Sequence, residues 1–353
     1  MPVKSLLNLW GDRLYTLPLI VLYLTDGCNS RCVSCDIWRN PRRNMPMALV
    51  QQIVDACSDL GVRWVLLSGG EAMQHPQWPE IARLFRQQGI YVMLLTNGLL
   101  VQKQVGELVD AVDELIVSLD GGTAATYAKI RGVDAFELIL SGIQSARQLG
   151  IPVITRTTVQ RANFREIPTI IDIALEYDIN RASFLAVDVG NPFAFGARFE
   201  SEAQSPSSNL ALTATDVDEL DGILDTLETD YAAAFESGRI AESPPKLRRI
   251  LVDYFRALLG DGDFPRPRCN APHFSTVIEV DGTLRPCYFL PAYGRLKPHD
   301  APNGDGRLAV PLHEAINTDA AQALRAAYRK GQRHECKSCV CPLYKGPRAL
   351  LRW

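Results

Sequence analysis

Cys28, Cys32 and Cys35 form a C-x3-C-x2-C run that ends a short apolar stretch. Three thiolates on one short loop can bind three irons of a cubane [4Fe–4S] cluster. The fourth iron then has no protein ligand and stays open to a small molecule. A zinc loop or simply buried thiols is the alternative. A structural zinc normally takes four protein ligands, and no fourth Cys or His lies near these three. A second group follows late in the chain. Cys269 is separated by twelve residues from Gly282, which is separated by four from Cys287, and Cys336, Cys339 and Cys341 form C-x2-C-x-C. The ninth cysteine, Cys57, recurs with Val50, Ile53, Val54 and Leu60 at helical spacing and belongs to an apolar face. His75, His273, His299 and His313 show no metal-binding spacing, and no Walker loop or G-x-G-x-x-G run occurs. Triphosphate and dinucleotide readings therefore fall away.

The elements that must position these residues alternate in kind. Strands are expected at Leu19–Leu24, Trp64–Ser68, Tyr91–Thr96, Glu114–Leu119, Val153–Val159 and Ala182–Val187. Helical spacing of apolar residues covers Ala48–Leu60, Pro79–Gln88, Gln102–Val109, Phe136–Leu149 and Ile167–Tyr177. Gly61, Gly89 and Gly150 stand where left-handed helix stops belong. Such alternation implies parallel strands with covering helices. Six units are too few for a closed eight-unit barrel of roughly 250 residues. A partial (β/α)6 TIM-type barrel or an open doubly wound sheet is expected, with the site at the C-terminal strand ends. Two helical patterns follow at 214–236 and 246–259. Asp281-Gly282 then joins Ser275–Val280 to Thr283–Tyr288 as a hairpin, and a last helix spans Asp319–Lys330. The expected organisation is a partial barrel (1–200), a helical connector (201–264) and a cysteine-bearing extension (265–353).

The first cysteine run, in this place, resembles the radical S-adenosylmethionine (SAM) superfamily. Three further runs at strand ends resemble that family's motifs in order, Ser68-Gly69-Gly70-Glu71, Thr96-Asn97-Gly98 and Ser118-Leu119-Asp120-Gly121, and Arg131-Gly132 resembles the RG that often follows the last. The resemblance implies that Cys28, Cys32 and Cys35 hold a SAM-binding [4Fe–4S] cluster. It also implies that Gly69, Gly70 and Glu71 meet the methionine amino group, and that Ser118 and Asp120 lie near the ribose and carboxylate. Gly69 and Gly70 leave room for a close backbone approach, and Glu71 offers an anion to an ammonium group. A helix-terminal carboxylate for Glu71, a strand-end turn for Ser118 and Asp120, and a plain turn for Asn97-Gly98 are the structural alternatives. Arg156 faces the barrel on one phase of its strand, as a further cofactor-binding candidate, or forms a surface ion pair on the other. Two positions depart from the family. Ser34 replaces the usual aromatic residue before the third cysteine, with Trp38 available to cover the cofactor, and Ala72 replaces the usual proline.

The Cys269-x12-Gly282-x4-Cys287 portion resembles the opening of the SPASM/twitch extension, which holds auxiliary [4Fe–4S] clusters. Five cysteines, not the seven of a full SPASM domain, point to the shorter form with one cluster. Cys269 and Cys287 are the firmer ligands, and two of Cys336, Cys339 and Cys341 complete the set. Cys336 and Cys339 are favoured, with His334 an alternative ligand and a four-thiolate zinc site the competing chemistry.

The resemblance implies reductive cleavage of SAM to a 5'-deoxyadenosyl radical, which abstracts hydrogen from an unactivated C–H bond. The auxiliary cluster would take the electron released on oxidation. A small-molecule substrate is the leading expectation and a peptide cross-link the second. About 17 residues precede the first strand, which leans against a self-contained peptide-recognition module, although a separate protein could supply one. A non-catalytic iron–sulfur electron carrier is the reading from another class, but it would need no SAM pocket. An electron donor such as flavodoxin or ferredoxin is implied. The segment Asp188–Phe199, with Asn191, Phe193, Phe195 and Arg198, is expected to line the substrate pocket or to be a packed loop.

Composition agrees with an ordinary globular protein. The 353 residues carry 37 Lys and Arg against 40 Asp and Glu, a net charge of -3 that gives no reason to expect nucleic acid. No apolar run reaches the roughly 18 residues of a membrane span, and no signal peptide is evident. A cytoplasmic location is expected, where clustered cysteines speak for metal more than for disulfides.

Overall fold

A computed structural model describes residues 2–194, 209–297 and 310–346. Phe195, Arg198 and His299 lie outside the described residues. Six strands alternate with helices: β1 (Leu19–Thr25), β2 (Trp64–Gly69), β3 (Tyr91–Thr96), β4 (Glu114–Ser118), β5 (Val153–Val159) and β6 (Arg181–Ala186). A short α1 (Pro2–Leu7) precedes β1. Between the strands run α2 (Met47–Leu60), α3 (Trp78–Gln87), α4 (Val101–Ala111), α5 (Ala124–Arg131), α6 (Phe136–Gln148) and α7 (Ile167–Glu176).

Their sequences explain their form. Leu49, Val50, Ile53, Val54, Cys57 and Leu60 make one buried stripe on α2. The helix stops at Gly61, whose φ of 60° is left-handed and whose N–H reaches the carbonyls of Cys57 and Ser58. Strands β1 to β3 are nearly continuous apolar runs because both faces are covered. Ile20, Leu22, Leu24, Val65, Leu67, Val92 and Leu94 pack toward the helices. Leu19, Val21, Tyr23, Trp64, Leu66 and Met93 face the other way, into the concave side.

The connector is more broken than its periodicity suggests. α8 (Ala214–Asp230) starts from a reciprocal cap between Thr213 and Asp216, and α9 (Ala232–Glu236) follows. The 246–259 pattern is α10 (Pro244–Arg248) and α11 (Tyr254–Leu258), joined by a π-helical turn at Arg249–Asp253.

The extension contributes β7 (Ser275–Ile278), β8 (Thr283–Arg285), β9 (Gly294–Arg295), α12 (Leu312–Ala315) and α13 (Asp319–Arg329). Its hairpin does not form a separate sheet. β7 pairs parallel with β1 from Leu19–Ser275 to Leu22–Ile278, so the described strands form one nine-stranded sheet in the order β6-β5-β4-β3-β2-β1-β7-β8-β9. β8 and β9 run antiparallel. The sheet is not closed, and the architecture is a partial TIM-type barrel whose concave side receives the extension. No helix among the described residues is long and apolar enough to cross a membrane.

Candidate active site and iron–sulfur sites

The first cysteine loop is fixed at both ends by backbone pairing. On leaving β1 the chain folds back on itself: Asp26 N–H donates to the Arg43 carbonyl (3.0 Å) and Met45 N–H to that of Leu24 (2.8 Å). Arg43 Nε closes the return with a 2.8 Å bond to the Asp26 carboxylate. On the other side, Arg31 and Val33 N–H groups donate to the carbonyls of Arg131 and Ile130 at the end of α5, each at 3.0 Å. Gly132 follows at φ 68°, and a Cβ there would stand 2.5 Å from the Arg31 carbonyl oxygen. The Arg131-Gly132 pair therefore docks the cysteine loop onto α5. The sequence did not make that role visible.

The Gly69-Gly70 pair does similar work. Gly70 N–H donates to the Thr25 carbonyl (2.7 Å) and Glu71 N–H to that of Gly27 (2.8 Å). A Cβ would lie 2.5 Å from Thr25 O at Gly69 and 2.2 Å from Gly27 O at Gly70. The close approach these glycines permit is to the cysteine loop's own backbone.

Glu71 is fully buried, and its carboxylate accepts from Met73 N–H (3.0 Å), Thr96 Oγ1 (2.8 Å) and Asn97 N–H (2.7 Å). Burial pushes its pKa up, while these three bonds pull it down. Asn97 Nδ2 donates to Asn29 Oδ1 at 2.7 Å and lies 3.7 Å from Cys28 Sγ, while its Oδ1 accepts from Leu99 N–H (3.0 Å). The ends of β2 and β3 are thereby tied to the cysteine loop.

Ser118 closes β4 in register with Arg156 of β5. Asp120 is buried and spends its carboxylate on protein groups, accepting from Arg131 Nη1 (2.9 Å) and Thr158 N–H (2.7 Å). Arg156 makes no ion pair among the described residues; its Nη2 lies 3.4 Å from Cys341 Sγ. It faces the concave side.

Cys28, Cys32 and Cys35 are half-buried, and no disulfide joins any of the nine cysteines. An open cavity of about 560 Å³ is lined by Cys28, Asn29, Arg31, Trp38 and Arg39. The indole N–H of Trp38 is buried without a hydrogen-bond partner. Burial raises the Cys28 thiol to about 11 and shifts Cys32 upward too. Such thiols ionise only with a cation to compensate them. Three soft donors on one loop, with Cys28 lining an open cavity, fit an iron–sulfur cluster with one exchangeable position.

The second site is built by the hairpin. Gly282, at φ 86°, is crossed so closely by the strand leading from β9 that a Cβ would stand 1.9 Å from Leu296 O. Ser275 Oγ donates to the Pro286 carbonyl (3.1 Å) and Thr276 Oγ1 to that of Arg285 (3.0 Å), which brings Cys269 and Cys287 to one end. Tyr328 of α13 donates to the Cys269 carbonyl at 2.7 Å. Burial raises the thiols of Cys287 and Cys339, and brings Cys336 to about 11. Among the described residues, no three His, Cys, Asp or Glu side chains converge on a point that would hold a single metal ion. His334 does not join the cysteines: its side chain is 81% exposed and lies beside Glu335. Cys57 is core, with Sγ 3.2 Å from the Ile53 carbonyl and its pKa raised to about 12 by burial. Asn191 is buried and bonds the Phe289 carbonyl (3.0 Å), so it joins the segment after β6 to the extension.

The fold and the site define an α/β protein with an open thiolate site at the strand ends and a second, enclosed one. Comparison with known proteins agrees. The family model described as "Radical SAM superfamily" matches residues 22–174, and that described as "Iron-sulfur cluster-binding domain", SPASM, matches 269–340. Residues 22–174 are thus a radical SAM domain and residues 269–340 a SPASM domain, and these two domains imply SAM and [4Fe–4S] clusters as cofactors. The AdoMet-dependent heme synthase of Methanosarcina barkeri is 35% identical over 164 residues, covering 45% of this chain and 47% of its own length. The chain thus spans about half the length of the curated relatives it matches. Among solved structures, Streptococcus suis SuiB bound to precursor peptide SuiA aligns with a TM-score of 0.63 at 15% identity, covering 97% of this chain and 75% of that one. Native anSMEcpe with bound AdoMet and Cp18Cys peptide aligns at 0.62 and 18%, covering 91% and 86%. Both likenesses are of fold.

Proposed function

We propose that this chain abstracts hydrogen from an unactivated C–H bond of a small-molecule substrate in an oxidative reaction. Cys28, Cys32 and Cys35 hold the first cluster, which when bound supplies the electron that cleaves SAM to methionine and a 5'-deoxyadenosyl radical. The observation that carries the reading is the convergence of Cys28, Asn97 and the buried Glu71 at adjacent strand ends beside an open cavity.

The chain's own groups divide the work. Glu71 is held by three donors and keeps roughly one lone-pair direction of about four for the substrate-side ammonium of SAM. Asn97 fixes the Cys28 loop, Trp38 lines the cavity, and Ser118 lies at the end of the neighbouring strand. Asp120 acts through Arg131, which it orients. Cys269, Cys287, Cys336 and Cys339 hold the auxiliary [4Fe–4S] cluster, the acceptor for the released electron. The extension covers the concave side and excludes water from the chamber. A flavodoxin- or ferredoxin-type donor completes the system.

The heme synthase among the relatives supports a small-molecule substrate. The peptide-bound fold neighbours support a second reading, modification of a peptide. A non-catalytic electron carrier has no use for a polar pocket built around Glu71. Anaerobic turnover discriminates these readings. The reduced, reconstituted chain with SAM is offered small molecules in one series and peptides in another. Stimulated 5'-deoxyadenosine formation with a small molecule is the expected result; stimulation by peptides alone supports the second reading, and no 5'-deoxyadenosine in any series refutes both.

A further inference from the structure

The two segments that carry most of the auxiliary cysteines are basic, in a chain whose net charge is -3. Residues 264–269 and 329–345 hold seven Lys or Arg and one acidic residue, Glu335, which is buried and paired with Arg333. Together with the connector these segments form a shallow cleft. Arg249, Arg266 and Lys337 line it beside Pro265, Pro267 and Cys339. Arg266 and Lys337 are exposed and Arg249 is half-buried, and none of the three makes an ion pair among the described residues. The walls are stiff. Each proline fixes its φ at about −65°, so Arg266 stands on a rigid run. Phe264, which opens that run, packs on Tyr254 of α11 with ring centroids 5.7 Å apart. Asn270 N–H donates to the Leu343 carbonyl (3.0 Å) and its Nδ2 to that of Lys345 (2.9 Å), which holds the C-terminal tail beside Cys269. Arg249 opens the π-helical turn at Arg249–Asp253, a rare geometry that is frequent at functional sites.

The cleft has a volume of about 20 Å³, room for about one water. Pockets for small molecules run to about 300 Å³ or more, so what fits here is a surface. Three cations with no ion pair among the described residues select an acidic one. Cys339 stands in the cleft wall, and in the function proposed above it is a ligand of the auxiliary cluster. A partner seated on the cleft is then one side chain away from that cluster. An oxidative turnover delivers one electron there, and the next turnover needs it removed. We propose that the cleft of Arg249, Arg266 and Lys337 is the docking surface of an acidic one-electron carrier protein, which collects that electron beside Cys339. One electron leaves the chain and the oxidised carrier gains it; no bond forms or breaks. The electron part rests on the function proposed above. The docking surface does not.

The test uses the reconstituted full chain without SAM, so it is independent of radical chemistry, and an oxidised flavodoxin is the probe. Its affinity is measured by titration calorimetry at low salt. Lys337→Gln should weaken binding about fivefold, the size of one close charge contact in a solvated site, while Lys103→Gln, an equal charge change on exposed α4, should not. The Arg249→Gln, Arg266→Gln, Lys337→Gln triple variant should bind about 100-fold more weakly, with iron content and circular dichroism unchanged. Added salt should weaken the parent far more than this variant. A second arm removes the first cluster with Cys28→Ala, Cys32→Ala and Cys35→Ala, reduces the chain, strips the reductant and follows flavin reduction by stopped flow. The cleft substitutions should slow it about tenfold or more at low flavodoxin and leave reduction of a neutral quinone unchanged. Unchanged affinity in the cleft variant, or an equal loss in Lys103→Gln, overturns the docking surface. An acidic peptide or an oligonucleotide that binds the cleft more tightly than flavodoxin also overturns it. Slowed quinone reduction shows an altered cluster and overturns the electron exit. A chain without its three first cysteines that holds no iron overturns the auxiliary-cluster reading, and the affinities still decide the docking surface.

Discussion

Replacing Gly70 with alanine tests how the first cysteine loop is held. The added Cβ would lie 2.2 Å from the carbonyl oxygen of Gly27, a separation that real Cβ atoms do not show. Backbone meets backbone here, so no side chain can swing aside. The Gly27 peptide has to retreat by about 1 Å, and Cys28 is the next residue. Overpacking of this kind costs about 1–3 kcal/mol, and a misplacement of about 1 Å near a reacting centre can cost about 100-fold in rate. The control is Gly89→Ala, with a positive φ of 73° but no neighbour within 4 Å. Both variants lose stability in chemical denaturation. Only Gly70→Ala should also lose iron from the first cluster and slow SAM cleavage by an order of magnitude or more. Full iron and an unchanged cleavage rate in Gly70→Ala would refute the argument that this contact positions the cluster ligands.

Other outcomes follow from the same geometry. Asp120→Asn leaves Arg131 buried without its charge partner, so stability should fall by about 3 kcal/mol; iron should fall too, because Arg131 docks the cysteine loop, and retention of both would contradict that docking. Cys57→Ala should cost about 1–2 kcal/mol as a small core deletion while iron count and cleavage stay at the parent level; iron loss would make Cys57 a ligand. His273 is held neutral by burial and by Arg329 and Arg325, its pKa lowered from 6.5 to about 4. Its unfolded form takes up the proton first, so stability is complete above about pH 6.5 and is lost as pH falls toward 4. By pH 5.5 this amounts to about 1.4 kcal/mol, and denaturation midpoints in His273→Phe should lack that part of the slope.

Much of the site was legible because its chemistry is local in the chain. Cys28, Cys32 and Cys35 lie within eight residues, and the glycine and carboxylate runs end strands whose apolar cores mark them plainly. Cys57 sat on a periodic stripe and was read as core. What was hidden depends on contacts distant in sequence. The Asp281-Gly282 turn announces a hairpin, but nothing in residues 275–278 says that β7 pairs with β1 across more than 250 residues. α5 is only eight residues long and carries a weakly amphipathic pattern, so it escaped the periodicity reading. The roles of Gly69, Gly70 and Gly132 depend on which backbone passes over them. Asp120 and Arg131 are eleven apart, and only the fold brings them together. The tail from Cys341 to Gly346 has no periodicity at all, because it lies in a groove whose shape other elements supply.

The central claim is that Cys28, Cys32 and Cys35 hold the cluster that cleaves SAM, with a separate cluster held by the extension. The most direct measurement is 5'-deoxyadenosine formed from SAM by the anaerobically reconstituted and reduced chain. The comparison is with the Cys28→Ala, Cys32→Ala, Cys35→Ala triple variant, with iron and zinc counted in both. The parent chain should form 5'-deoxyadenosine and carry about eight irons, two cubane clusters. The triple variant should form none and keep about four irons. Formation of 5'-deoxyadenosine by the triple variant, or zinc in place of its remaining iron, would contradict the account.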